Sequence, residues 1–222
     1  MGYDLNFTLI WRNFDRLWGG LLLSLELAAL SLVIGILIGL VLAVWYVSAG
    51  RFVRFLIGAY VEFFRNVPLI LLVYLVFYGL PQVINIAYDA TTSFVVTLSI
   101  YSGAYLVEVF RSGLEAIPRG LVDAGRAVGL TPYQRLVHVR IPTMVRIILP
   151  ALSNTFISLF KDTSIASVIA VPELTYGAQW INFNTFRIVE VYLIVTAMYL
   201  ATGYSLLFLL RQIERRFRVT RQ

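Results

Sequence analysis

No cysteine occurs in the 222 residues, which excludes disulfides and thiolate metal sites. Charge is scarce. Asp, Glu, Lys and Arg together make up 14% of the chain, against about a quarter in ordinary soluble domains. The single histidine, His138, has no second ligand-type residue at metal spacing and reads as structural or surface. No stretch carries the G-x-x-x-x-G-K-[ST] pattern of a nucleotide phosphate loop. Gly35-x-x-x-Gly39 and Gly50 are not such loops, and the first pair reads as a seam for close helix packing in a bilayer. No nucleophile–base set supports a membrane enzyme.

What the chain has is apolar length. It is 59% hydrophobic, with a mean hydropathy of +0.82. Five stretches are candidates to cross a bilayer, which takes about 20 residues: Gly20–Val47, Asn66–Tyr88, Ala90–Val107, Ile147–Pro172 and Val191–Leu210. Only Asp89 separates the second from the third, so that boundary stays open. Arg65-Asn66-Val67-Pro68 breaks or starts the second span, because proline disfavours helix at the residue before it. The fourth is long enough only if Lys161 and Asp162 are tolerated inside it. The first apolar run is too long for a secretory signal peptide, and Asp4 and Asp15 precede it. Trp11, Phe14 and Trp18 recur at helical spacing, which predicts an amphipathic helix over 1–18 lying in the interface. The chain is therefore expected to be one all-α membrane domain, 1–222, with five transmembrane helices.

The positive charge is unevenly placed. Fourteen of the 18 basic residues fall in 49–66, 111–146 and 211–222, and the remaining ones are Arg12, Arg16, Lys161 and Arg187. By the positive-inside rule this predicts an external (periplasmic) N-terminus and a cytoplasmic C-terminus. The tail RQIERRFRVTRQ then faces anionic headgroups, and the net charge of +6 needs no nucleic acid.

The segment 111–146 is too long for a turn. Leu121, Ala124 and Val128 form a helical apolar stripe, and Gly129 supplies a residue able to adopt φ > 0 and stop the helix. Thr131 is a good N-cap and Pro132 a good first residue. Tyr133, Leu136 and Val137 form a second short stripe, and Pro142 is expected to end it. Three readings compete: a loop packed on its own bundle, a DNA-binding helix–turn–helix, and a docking element for a soluble partner. Tethering at both ends argues against DNA, since no recognition helix is free. Docking accounts for the shape and the small residues Ala124, Gly125 and Ala127.

These residues resemble the EAA loop of bacterial ABC importer permeases, E-A-A, three residues, Gly, nine residues, I-x-L-P. Here the chain reads Asp123-Ala124-Gly125, three residues, Gly129, nine residues, Val139-Arg140-Ile141-Pro142. Asp for Glu, Gly for Ala, Val for Ile and Ile for Leu are the departures, and Gly125 would loosen the first helix slightly. "YVEFFRNVPLILLVYLVFYGLP", "SGLEAIPRG" and "KDTSIAS" resemble the polar amino acid uptake subfamily, although Leu121 stands where many relatives have glutamine. The resemblance implies a type I ABC importer permease fold in a bacterial inner membrane. It implies that Leu121, Asp123, Ala124, Gly125, Val128, Gly129 and Pro142 couple the chain to a separate ATPase. The expected partners are a dimer of ATP-binding subunits holding ATP and Mg, a second permease subunit, identical or related, and an external amino acid-binding protein. This chain itself would need no cofactor. A scaffold or channel subunit without an ATPase is the alternative.

A polar stripe runs along the fourth span. Asn154, Ser158, Lys161 and Ile165 share one face, and Thr155, Ser158, Asp162 and Ala166 a neighbouring one. A charge at a span centre costs about 2.5–3.5 kcal/mol on insertion scales. Lys161 and Asp162 are read either as an internal ion pair or helix end, or, with Asn154, Ser158 and Ser164, as the wall of a substrate pathway. Of the remaining acids, Glu26 has a free face early in the first span, and Glu108 is expected to pair with Arg111 at i, i+3.

Overall fold

In the computed structural model the chain is helical throughout, and residues 4–85 and 88–217 are described. The elements run in order as α1 (Thr8–Arg12), α2 (Phe14–Ser48), α3 (Arg51–Asn66), α4 (Leu69–Tyr74) and α5 (Leu80–Ile84). Then come α6 (Ala90–Glu115), α7 (Arg119–Ala127), α8 (Pro132–Arg135), α9 (Ile141–Asp162), α10 (Leu174–Thr185) and α11 (Ile188–Phe217). Four helical runs are long and apolar enough to cross a membrane: Phe14–Ser48, Ala90–Glu115, Pro132–Ile169 and Ile188–Arg216. Among the described residues a fifth crossing comes from Arg51–Asn66 with Leu69–Ile84, if the two, which meet at a bend of 104°, count as one span. Val67 and Pro68 make that bend: both are extended, and Pro68 offers no N–H to continue the helix.

The centre of the bundle is the seam between α2 and α6. A Cβ on Gly39 would lie 2.7 Å from Cβ of Leu106, and one on Gly35 would collide with Ser102. The expected glycine seam therefore exists, and it lets the two backbones approach as small-residue interfaces do in lipid. Ser102 Oγ bridges the seam by donating to the Ser31 carbonyl at 3.1 Å. Matched pairs advance together, Gly35 with Ser102 and Gly39 with Leu106, so α2 and α6 run in the same direction. α3 climbs beside α6 and is tied to it where the Tyr60 hydroxyl donates to the Ile100 carbonyl at 2.6 Å. α6 starts at Asp89, whose carboxylate accepts from the Thr92 N–H at 2.9 Å and from its hydroxyl at 2.6 Å. Those bonds hold the Asp89 carboxyl below its ordinary pKa. The residue that blurred a boundary in the sequence is a helix cap.

Several expected boundaries move. α2 begins at Phe14, not near Gly20, and the interfacial helix over 1–18 is not a separate body. Trp11 and Trp18 of the expected stripe stay exposed, while Ile10 and Leu17, on the other side, are fully buried in the bundle core. α6 continues past Val107 to Glu115, carrying the expected Glu108–Arg111 pair at 2.7 Å and a second Arg111 bond to Glu115 at 2.9 Å.

Pro142 does not end a helix. Helix runs without a break from Pro132 to Ile169, because Leu136–Arg140 form a π turn in which Ile141 N–H reaches back to the Leu136 carbonyl. The wider turn takes up the hydrogen bond and the space that proline denies at i−4. The same device precedes Pro81, where Leu75–Gly79 are a π turn. The helix that carries the fourth crossing thus starts at Pro132, well before residue 147, and the non-helical part of the connection shrinks to the short segments around α7. At the far end α9 passes into a 3-10 stretch, Thr163–Ile169, and Ala170 stops it with φ 61. The tail residues Arg218 and Arg221 lie outside the described residues.

Candidate functional site

Two regions assemble the residues singled out in the sequence. The first is the connection between α6 and α9. α7 ends in a Schellman motif: Leu130 N–H bonds the Gly125 carbonyl at 3.0 Å and Gly129 N–H bonds the Arg126 carbonyl at 2.9 Å. Gly129 has φ 79, the left-handed conformation expected of it. Thr131 and Gln134 then form a reciprocal capping box around Pro132. These two devices fix the angle between α7 and the foot of α9. Leu121, Ala124 and Val128 are all exposed, Val128 by 75%, so the apolar stripe projects from the bundle with nothing packed on it among the described residues. Gly125 is buried beneath Arg135, and a Cβ there would make ordinary contact at 3.4 Å. Asp123 points away from the stripe and pairs with Arg126 at 3.0 Å. Pro142 sits above the turn, in the first turn of α9, not in the exposed stripe.

The second region is a cavity of ≈ 360 Å³ between α6 and α9. Asn154, Thr155, Ser158 and Asp162 line it from α9, and Tyr101, Ser102 and Tyr105 from α6. Tyr105 is the sixteenth of the 26 residues of α6, about 22 Å from its start at 1.5 Å per residue, so the cavity lies near the middle of the spans along their length, and it is open at Asn154 and Ser158, which are exposed. The Tyr101 and Tyr105 hydroxyls are 3.1 Å apart. The Arg65 guanidinium lies 5.4 Å from the Tyr105 ring centre, within cation–π reach. Asp162 forms no ion pair among the described residues.

The structure thus brings Asn154, Ser158 and Asp162 together and separates Lys161 and Ser164 from them. Lys161 lines another cavity, against Thr196, Tyr199 and Gly203 of α11. One helical step of about 100° accounts for the divergence. Ser164 belongs to the 3-10 stretch, where its carbonyl accepts from Ser167 Oγ at 2.8 Å.

Sequence reasoning missed Tyr101 and Tyr105, although their i, i+4 spacing on a serine-rich helix was a readable signal. It also missed Glu173, which is fully buried. This carboxylate accepts from Thr175 N–H at 2.9 Å, Tyr176 N–H at 2.8 Å, Tyr199 hydroxyl at 3.1 Å and Ser24 hydroxyl at 3.3 Å. It caps α10 and joins that helix to α2 and α11. Gly20 is part of the same junction, since a Cβ there would lie 2.8 Å from the Glu173 backbone.

Comparison with known proteins agrees with this architecture. The chain is 36% identical over 203 residues to the probable glutamine ABC transporter permease protein GlnP of Bacillus subtilis (strain 168), covering 90% of this chain and 93% of that one. It is 33% identical over 215 residues to the glutamine transport system permease protein GlnP of Escherichia coli (strain K12), covering 96% and 98%. It is 34% identical over 218 residues to the L-cystine transport system permease protein TcyB of Bacillus subtilis (strain 168), covering 97% and 93%. A crystal structure of an amino acid ABC transporter with histidines superposes with a TM-score of 0.88 at 33% identity, over 96% of this chain and 100% of that chain. Residues 35–219 match the family model, and the chain belongs to the binding-protein-dependent transport system inner membrane components.

Proposed function

We propose that the chain is the membrane subunit of an ABC importer that carries an amino acid, with the cavity at Asp162 as part of the route. The observation that carries this reading is an open groove at mid-span between α6 and α9, lined by one carboxylate and two tyrosine hydroxyls, with Asn154 and Ser158 exposed in its wall. Such groups in a span face water, a partner or a ligand, and a zwitterion presents an ammonium to Asp162 and a carboxylate to hydroxyl, amide and guanidinium donors. The relatives named for glutamine and L-cystine support an amino acid and do not choose among them.

In this reading the arginine-rich end is cytoplasmic and the N-terminus is outside, as the positive-inside rule requires. The stripe Leu121–Ala124–Val128 enters a cleft of a separate ATP-binding subunit, which supplies ATP and Mg. Gly129 and the Thr131 capping box hold α7 at the angle for docking. A second permease subunit completes the route, and an external binding protein delivers the solute. Reconstitution with the ATPase and the binding protein tests the whole reading. Uptake of an amino acid that requires ATP is the expected result. Flux that persists without ATP would assign a channel instead.

A further inference from the structure

At the arginine-rich end a second cavity, ≈ 460 Å³, lies between the last turn of α6, α7 and the π turn at the foot of α9. Arg119, Arg126 and Arg140 line it, together with Glu115 and Asp123. Both acids are already engaged. Asp123 pairs with Arg126 at 3.0 Å, and Glu115 with Arg111 at 2.9 Å. Arg119 and Arg140 form no ion pair among the described residues. The Nε atom of Arg140 is closed off from solvent and has no hydrogen-bond partner.

A buried donor left unpaired is costly. The Nε of Arg140 is closed off, so an anion in the cavity meets its two Nη atoms, whose N–H groups also fit two oxygens of a phosphate or carboxylate. Here two guanidiniums approach from different elements, α7 and the π turn, and a tetrahedral anion can offer oxygens to both at once. Arg119 also opens α7, whose first turn has no side-chain cap, so its free N–H groups add to the pull on an anion. The buried side chains of Leu114 and Ile117 give the cavity an apolar wall.

We infer that this cavity binds a phosphate group, held between Arg119 and Arg140. Its source is either the headgroup of an anionic phospholipid or free phosphate. The site does not compete with the docking stripe. Arg119, Val122, Asp123 and Arg126 recur at i, i+3, i+4, i+7 on one side of α7, and Leu121, Ala124 and Val128 occupy the other. Bound there, the anion ties α7 to the foot of α9 and braces the stripe for its partner.

The test is titration of the assembled transporter in neutral detergent, at constant ionic strength, with inorganic phosphate in one arm and phosphatidylglycerol in the other. Phosphatidylcholine and chloride are the controls, and the thermal midpoint is the readout. A saturable rise in one arm is expected, and the arm that gives it identifies the source. Arg119→Gln and Arg140→Gln should each weaken the effect at least about tenfold, while Arg12→Gln, an exposed position on α1, should leave it intact. If Arg140→Gln fails to assemble, Arg119→Gln decides, because that side chain is exposed. No saturable rise in either arm, an unchanged response in Arg119→Gln, or an equal loss in Arg12→Gln would overturn the inference.

Discussion

Asp162 lines the polar cavity between α6 and α9 while Lys161, its neighbour in the chain, lines a groove against α11, and no ion pair joins them. Neutralising one therefore breaks no ion pair, although the neighbouring charges still act on each other through space. Asp162→Asn is expected to cut uptake at least about tenfold, or about 1.4 kcal/mol, with complex yield kept. Lys161→Met should leave uptake within about twofold, and the double variant should fall close to Asp162→Asn, because the two side chains face different cavities. Uptake and yield of the three variants check this. Rescue of Asp162→Asn by Lys161→Met would show that the two charges do compensate each other.

Glu173 should matter for assembly rather than for passage. Its carboxylate satisfies two backbone N–H groups of α10 and reaches Ser24 and Tyr199. Glu173→Ala leaves the Thr175 and Tyr176 N–H groups without that acceptor, at a cost of about 2–4 kcal/mol, while Ser24 keeps the Gly20 carbonyl and Tyr199 the Thr175 hydroxyl. Glu173→Gln keeps one acceptor oxygen and should lose less. Thermal midpoints in detergent measure the difference, and an alanine variant as stable as the parent would contradict the account of this junction.

Two glycines of the connecting segment should respond in opposite directions. Gly129 has φ 79, so Gly129→Val is expected to cost at least about 1–2 kcal/mol and to reduce ATPase co-purification. Gly125 is helical with room for a methyl group, so Gly125→Ala should stabilise α7 by up to about 1 kcal/mol. Pull-down yield and thermal midpoint read both. Normal pull-down by Gly129→Val would mean that the turn does not set the docking angle.

Much of this architecture was legible in the sequence, for physical reasons that differ from element to element. Apolar length marked the crossings, because bilayer thickness sets a minimum helix length. Gly129 and Thr131 announced the α7–α8 turn through local backbone chemistry, and Gly35-x-x-x-Gly39 announced the α2–α6 seam. Pro142 misled, because a π turn five residues wide absorbs a proline that would otherwise end the helix, and that accommodation has no simple residue signature. Lys161 and Asp162 were seen as a pair because they are adjacent, but adjacency on a helix separates faces. Glu173 was missed because two of its partners, Ser24 and Tyr199, lie 149 and 26 residues away, a closeness that only the folded bundle creates.

The most direct measurement of the central claim uses the absence of cysteine from this chain. A single Ser158→Cys variant places one thiol in the wall of the Asp162 cavity. In reconstituted transporter, a water-soluble thiol reagent should label it, labelling should block uptake, and the transported amino acid should slow labelling. A thiol that stays unlabelled in an actively transporting complex, or one whose labelling leaves uptake unchanged, would contradict the assignment of this cavity to the route.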